Sequence, residues 1–169
     1  MKTTDSFEEI PLTKVRDYWN SRPCNIRHSP KPVGSREYFD EVEARKYFVE
    51  PHIPKFAEFG RWRGKKVLEI GCGIGTDTIS FAAAGAQVTA VDLTEKSLEV
   101  ARQRAKVFGV EDRVHFIQAN AEKLSESVPV SITCWSEITC HDRPPPITSP
   151  SPWYTVITDR FWSGYESIL

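Results

Sequence analysis

Apolar and polar positions change rhythm three times along the chain. Residues 1–12 hold no sustained apolar pattern and read as a disordered tail. Residues 13–62 show helical spacing interrupted by prolines and read as a helical N-terminal extension. Within it, "TKVRDYWNSRPCNIRHSPKPVG" opens as a short helix and ends in a loop broken by Pro23, Pro30, Pro32 and Gly34. "SREYFDEVEARKYFVE" predicts a helix with Ser35 at its N-cap and Pro51 as its stop. "HIPKFAEFGRW" predicts a further short helix ended by Gly60.

From Lys66 the pattern alternates between strand and helix. "KVLEIG" is apolar enough for a buried parallel strand, "TDTISFAAAG" is a helix closed by Gly85, and "AQVTAVD" is a second strand. In "LTEKSLEVARQRAKVFG" the residues Leu98, Ala101, Ala105 and Phe108 make one apolar face, with Thr94 as cap and Gly109 as stop. "DRVHFIQAN" is the third strand. This alternation predicts an α/β fold, a Rossmann-like parallel sheet with strand order 3-2-1, over residues 63–130. The rhythm then stops: residues 131–169 form an irregular, Pro-rich tail in which only "SITCW" and "WYTVIT" have strand-like composition.

Composition narrows the class of function. The chain has 169 residues and a formal net charge of -1, so a basic nucleic-acid footprint is not expected. No apolar run is long enough for a membrane span, and the first residues carry acids without an apolar core, so neither a signal nor a transit peptide is expected. The four cysteines lack CxxC spacing, which predicts free thiols in a cytoplasmic protein and no metal site.

The chemistry concentrates in "KVLEIGCGIGTDT". Gly71, Gly73 and Gly75 sit at a strand-to-helix turn, where backbone with positive φ lets a ligand approach closely and the helix start offers free N–H groups. A dinucleotide turn wants GxGxxG, but Thr76 stands where the last glycine belongs. Glu69 and Asp77 flank the turn and would repel a pyrophosphate, whereas they favour the ammonium and sulfonium of S-adenosylmethionine. Asp92, at the end of the second strand and 21 residues after Gly71, is placed to accept two hydrogen bonds from a ribose diol. Asn120, Ala121 and Glu122 follow the third strand beside the same crevice, where an amide can meet an adenine edge. Cys72 lies within the turn; with no base nearby, its thiol reads as a small buried filler of the cradle and not as a nucleophile.

"VLEIGCGIG", "VTAVDLTEKSLEVA" and "FIQANAEKL", in this order and spacing, resemble the class I S-adenosylmethionine-dependent methyltransferases, and within them the small-molecule group that includes the ubiquinone and menaquinone C-methyltransferases. The resemblance covers Lys66 to Leu124. It implies that Glu69, Gly71, Gly73 and Gly75, with Cys72 between them, cradle the methionine end of the cofactor. It further implies that Asp92 binds the ribose hydroxyls, that Leu93 packs on the adenine, and that Asn120 with Ala121 meets the adenine amine. The family often has Asp where this chain has Asn120, which weakens that contact without removing it. A small-molecule methyl acceptor is implied, the catalytic residues stay unassigned, and Tyr18 and Trp19 of the extension are candidates to cover the cofactor.

The chain departs from the family after Val130, where the fourth strand and its following helix have no recognisable counterpart. The expectation is a truncated or alternative reading of a longer gene, by frameshift or retained intron, with weak cofactor binding and no turnover. The first strand's outer edge is then left open as a self-association surface, unless "SITCW" or "WYTVIT" fills it. Three other readings remain open on the sequence: a non-catalytic remnant, a nicotinamide-dependent oxidoreductase, and an interaction module in which "RPPPITSP" is a polyproline II ligand.

Overall fold

The computed structural model describes residues 11–121 and 124, together with the backbone of 133–136. Four parallel strands, β1 (Lys66–Ile70), β2 (Gln87–Asp92), β3 (Val114–Gln118) and β4 (Thr133–Ser136), stand in the order β3-β2-β1-β4. Helix α4 (Thr76–Ala83) joins β1 to β2, and α5 (Glu95–Phe108) joins β2 to β3. The α/β class and the order 3-2-1 are as expected. The outer edge of β1 is not: Val67 to Ile70 pair in parallel register with Thr133 to Ser136. "SITCW" therefore supplies the strand that was missing, the expected self-association edge is occupied, and the tail from 131 is not wholly irregular. A central apolar strand needs partners for both of its rows of backbone N–H and C=O groups. Four residues are enough to provide them but too few to carry a readable period.

Parallel neighbours share a face, so Val67 and Glu69 of β1 stand beside Val88 and Ala90 of β2. All four are buried, and Val67, Val88 and Ala90 belong to a core that also holds Ile79 and Phe81 of α4 and Leu98 and Ala105 of α5. The extension contributes to that core directly. Helix α3 (His52–Ala57) places Ile53 and Ala57 in it. Helix α2 (Arg36–Val49) builds a second cluster, in which Tyr38, Phe39 and Val42 meet Ile74 and Val100.

Local chemistry sets the helix ends. Ser35 Oγ accepts from the Tyr38 N–H at 3.1 Å, as the cap position predicts, and α2 stops before Pro51. Helix α3 ends at Ala57, short of Gly60, because Glu58 turns left-handed at φ 45° and Phe59–Trp62 forms a 3₁₀ turn. Helix α1 (Leu12–Ser21) begins at the edge of the expected tail; residues 1–10 lie outside the described ones. Cys24 is disulfide-bonded, against the expectation of free thiols, while Cys72 is free and buried.

Arg104 fastens α5 to α2 and α4. Its side chain is fully buried, donates to Thr76 Oγ1 at 2.9 Å and Glu43 Oε2 at 2.8 Å, and lies over the rings of Phe39 and Phe108 at 5.3 and 5.5 Å. Burial lowers the pKa of its guanidinium, opposed by the Glu43 carboxylate. Among the described residues, no helix is long and apolar enough to cross a membrane.

Candidate functional site

The turn between β1 and α4 lies at the C-terminal edge of the sheet, where strand order reverses between β2-β1 and β4. In open parallel sheets that crevice is the usual ligand seat. Gly71, Gly73 and Gly75 all have positive φ, at 76°, 52° and 77°. The N–H groups of Gly71 and Cys72 both donate to Val91 O, at 2.8 and 3.0 Å, which ties the turn to β2. Two of the glycines differ in what surrounds them. A Cβ on Gly75 would stand 3.0 Å from Ala101 Cβ, so this glycine lets α4 pack closely on α5. A Cβ on Gly73 would meet nothing within 4 Å: the space in front of it is open.

Asp92 closes the turn from the β2 side. Its Oδ2 accepts from the Gly73 N–H at 2.9 Å, and its Oδ1 accepts from the Thr94 N–H and the Thr94 hydroxyl, both at 2.8 Å. Thr94 thus occupies the N-cap position of α5 without capping it, since its hydroxyl is given to Asp92 and stands 2.7 Å from Ser97 Oγ. A carboxylate offers about four lone-pair directions, and three are taken. The half-buried Asp92 keeps one, on Oδ2, so a diol cannot be held by both oxygens unless one of these bonds opens.

The remaining predicted residues gather at the same edge. The Ala119 N–H donates to Asp92 O at 3.0 Å, and Gln118 Nε2 donates to Leu93 O at 3.2 Å. These bonds bring the start of Asn120–Ala121 alongside Asp92–Leu93. Glu122 lies outside the described residues. From the extension, Asn20 Oδ1 accepts from the Lys96 N–H at 3.1 Å, which sets α1, with Tyr18 and Trp19, against the first turn of α5.

Beneath the turn lies a buried charged cluster. Glu69 is 4% exposed and accepts from Thr78 Oγ1 at 2.5 Å. Its pKa is pushed up to about 8, first by burial and then by the neighbouring Asp77 carboxylate, with the Thr78 hydrogen bond and the Lys46 charge acting the other way. Asp77 is also buried. Its Oδ2 pairs with Lys46 Nζ at 2.6 Å and its Oδ1 accepts from Tyr47 OH at 3.0 Å, both from α2. The expectation that Asp77 offers its charge to a ligand is corrected here: that charge is already answered by Lys46. Cys72 is buried and its thiol pKa is raised by burial and by Glu69, which fits a filler and not a nucleophile.

Lys46, Tyr47 and Thr78 were not singled out by the sequence, and Thr94 was read only as a helix cap. For Lys46 a signal exists: it falls on the helical stripe of Tyr38, Phe39 and Val42, and a charged residue on a buried face needs a buried partner.

Sheet order, glycine turn and the acid ending β2 together resemble the first half of the class I S-adenosylmethionine-dependent methyltransferase fold. Among known proteins, residues 67–146 match the family model of the methyltransferase domain. The chain is 44% identical over 70 residues to the ubiquinone biosynthesis O-methyltransferase of Bordetella parapertussis, a match covering 41% of this chain and 28% of that one. The corresponding enzyme of Aromatoleum aromaticum is 48% identical over 62 residues, covering 37% and 26%. The chain thus matches under a third of the length of these curated relatives. Among solved structures, geranyl diphosphate C-methyltransferase from Streptomyces coelicolor A3(2), in complex with Mg2+, geranyl diphosphate and S-adenosyl-L-homocysteine, superposes with a TM-score of 0.54 at 18% identity. That superposition covers 76% of this chain and 54% of the other, and it concerns the fold.

Proposed function

We propose that this chain binds S-adenosylmethionine at the glycine turn and serves methyl transfer to a small-molecule acceptor. The observation that carries the reading is the open space at a left-handed Gly73 whose N–H is bonded to Asp92. S-adenosylmethionine, when bound, supplies a methyl group activated by a sulfonium. The protein's part is to bind, orient and exclude water, because positioning supplies much of the acceleration of an in-line displacement. Glu69 is the buried acceptor for an ammonium, Asp92 offers its remaining lone pair to a ribose hydroxyl, and Leu93, Asn120 and Ala121 line the adenine side. Gly71, Cys72 and Gly75 hold the turn in shape.

The nicotinamide reading has less support, since Thr76 replaces the last glycine of its turn and a buried acid, Glu69, underlies it. The formal net charge of -1 supports a small-molecule acceptor over nucleic acid. The matched relatives are O-methyltransferases, so hydroxyl acceptors come first in any panel.

Calorimetry of the full chain with S-adenosylhomocysteine and, separately, with a nicotinamide dinucleotide tests the reading. Saturable heat with the first and none with the second is expected. A folded chain that gives no heat with S-adenosylhomocysteine overturns it. Transfer of labelled methyl to the acceptor panel then tests the activity.

A further inference from the structure

A lysine buried under a candidate ligand turn requires a reason, because burying an ammonium is costly unless its charge is answered. Lys46 is 8% exposed and comes from α2, outside the segment that matches the methyltransferase family. It reaches 31 positions along the chain to meet Asp77 Oδ2 at 2.6 Å. The next residue, Tyr47, donates to Asp77 Oδ1 at 3.0 Å and shares a 2.9 Å hydrogen bond with Ser80 Oγ. Asp77 sits in the first turn of α4, one residue from the Thr78 whose hydroxyl holds Glu69. Two successive residues of the extension therefore grip one carboxylate, and the helix turn that carries it also carries the hydroxyl on the second.

We propose that Lys46 and Tyr47 are positioning residues for the ammonium end of the bound cofactor: they hold Asp77 in place, and the Lys46 charge keeps Glu69 able to ionise. This rests on the reading of the glycine turn as the cofactor's seat. The electrostatics agree in direction. Asp77 on α4 and Asp92 at the end of β2 both disfavour a charge on Glu69, and burial does so most; Lys46 on α2 and the Thr78 hydroxyl favour it. Arg104 on α5 also feels the charge of Asp77, less strongly than that of its partner Glu43. Without Lys46, the buried Glu69 would face Asp77 and the half-buried Asp92 with the Lys46 charge gone. Glu69 would then stay protonated to higher pH, and a protonated carboxyl attracts an ammonium far less than a carboxylate does. A ligand ammonium prefers the ionised Glu69, so affinity is expected to rise with pH as Glu69 loses its proton.

The test has two arms on the full chain. In the first, the Glu69 side-chain carboxyl is followed by carbon NMR through a pH titration without ligand. Lys46→Met is expected to move its midpoint upward by about one pH unit, and Lys46→Arg to restore it. In the second, S-adenosylhomocysteine affinity is measured against pH. Lys46→Met is expected to bind about tenfold more weakly at neutral pH, the equivalent of that unit, and to recover as pH rises. A Lys46→Met midpoint equal to the parent's overturns the inference, whatever the affinities do. Loss of affinity by the same factor at every pH also overturns it, because that is the mark of a purely structural residue. If Lys46→Met does not fold, Lys46→Gln keeps a donor for Asp77 without the charge and is held to the same outcomes. Failure of the parent to bind S-adenosylhomocysteine sinks the cofactor reading, and the first arm still decides whether Lys46 governs Glu69.

Discussion

Substituting alanine at Gly75 and at Gly73, one at a time, separates the two uses of the glycine turn. Both positions have positive φ, and an L-residue held there costs about 1–2 kcal/mol. At Gly75 the new methyl would also stand 3.0 Å from Ala101 Cβ and 3.4 Å from Ala101 Cα, so α4 and α5 must part slightly. Overpacking of this kind costs about 1–3 kcal/mol. Gly75→Ala is therefore expected to lose about 2–5 kcal/mol, a fall in melting temperature on the order of 5–20 °C for a chain of this size. At Gly73 nothing lies within 4 Å of the new methyl, so only the strain remains, about 1–2 kcal/mol, on the order of 2–8 °C. Binding should reverse the ranking of harm: Gly73→Ala places a methyl in the space a ligand would occupy, and Gly73→Val fills more of it. Thermal melts by circular dichroism, paired with S-adenosylhomocysteine titration at a temperature where each variant is folded, read both effects. Equal melting losses at the two positions, or parental affinity in Gly73→Val, would refute the reasoning.

Other perturbations follow from the geometry. Asp92→Ala should weaken S-adenosylhomocysteine binding by about 1.5–3 kcal/mol, and should also lower the melting temperature because three donors lose their acceptor; an unchanged titration would remove Asp92 from the site. Asp92→Asn should cost less, since one oxygen remains to accept. Arg104→Ala should destabilise by about 2–5 kcal/mol, the usual range for truncating a large buried side chain, measured by urea denaturation. Glu69 has a folded pKa raised from 4.5 to about 8, so its contribution to stability is full below about pH 4.5 and is lost as pH rises through 8. Melts of the ligand-free chain should fall across that window, and Glu69→Gln should flatten the slope; a parallel decline in the variant would show that another group is responsible.

The stretch from Lys66 to Gln118 was legible because each element is long enough to show its period and glycines punctuate it. The contents of the turn were legible too, since glycine spacing and the acid at Asp92 are local in sequence. What escaped was whatever depends on partners far along the chain. β4 is four residues long, and its identity comes from pairing with β1. Asp77 looked like a charge offered to a ligand because its counter-ion, Lys46, lies in another helix. Gly75 looked like part of a ligand cradle, yet Ala101, in the next helix, gives it a packing reason. The four acceptor directions of Asp92 could be counted from chemistry, but the occupancy of three of them by Gly73 and Thr94 could not.

The grip of α2 on α4 and α5 bears on how this protein can be dissected. The methyltransferase match begins at Val67, which invites a cut just upstream of β1. Such a cut would take away Glu43, the carboxylate facing Arg104, and Lys46, the cation facing Asp77, while both stranded charges stayed inside. It would also uncover the apolar surface now shielded by Phe39, Val42 and Ile53. The inherited module and the smallest autonomous folding unit therefore have different borders. Limited proteolysis should leave α2 attached to the sheet, and fragments that begin at the homology boundary should be recovered as insoluble material.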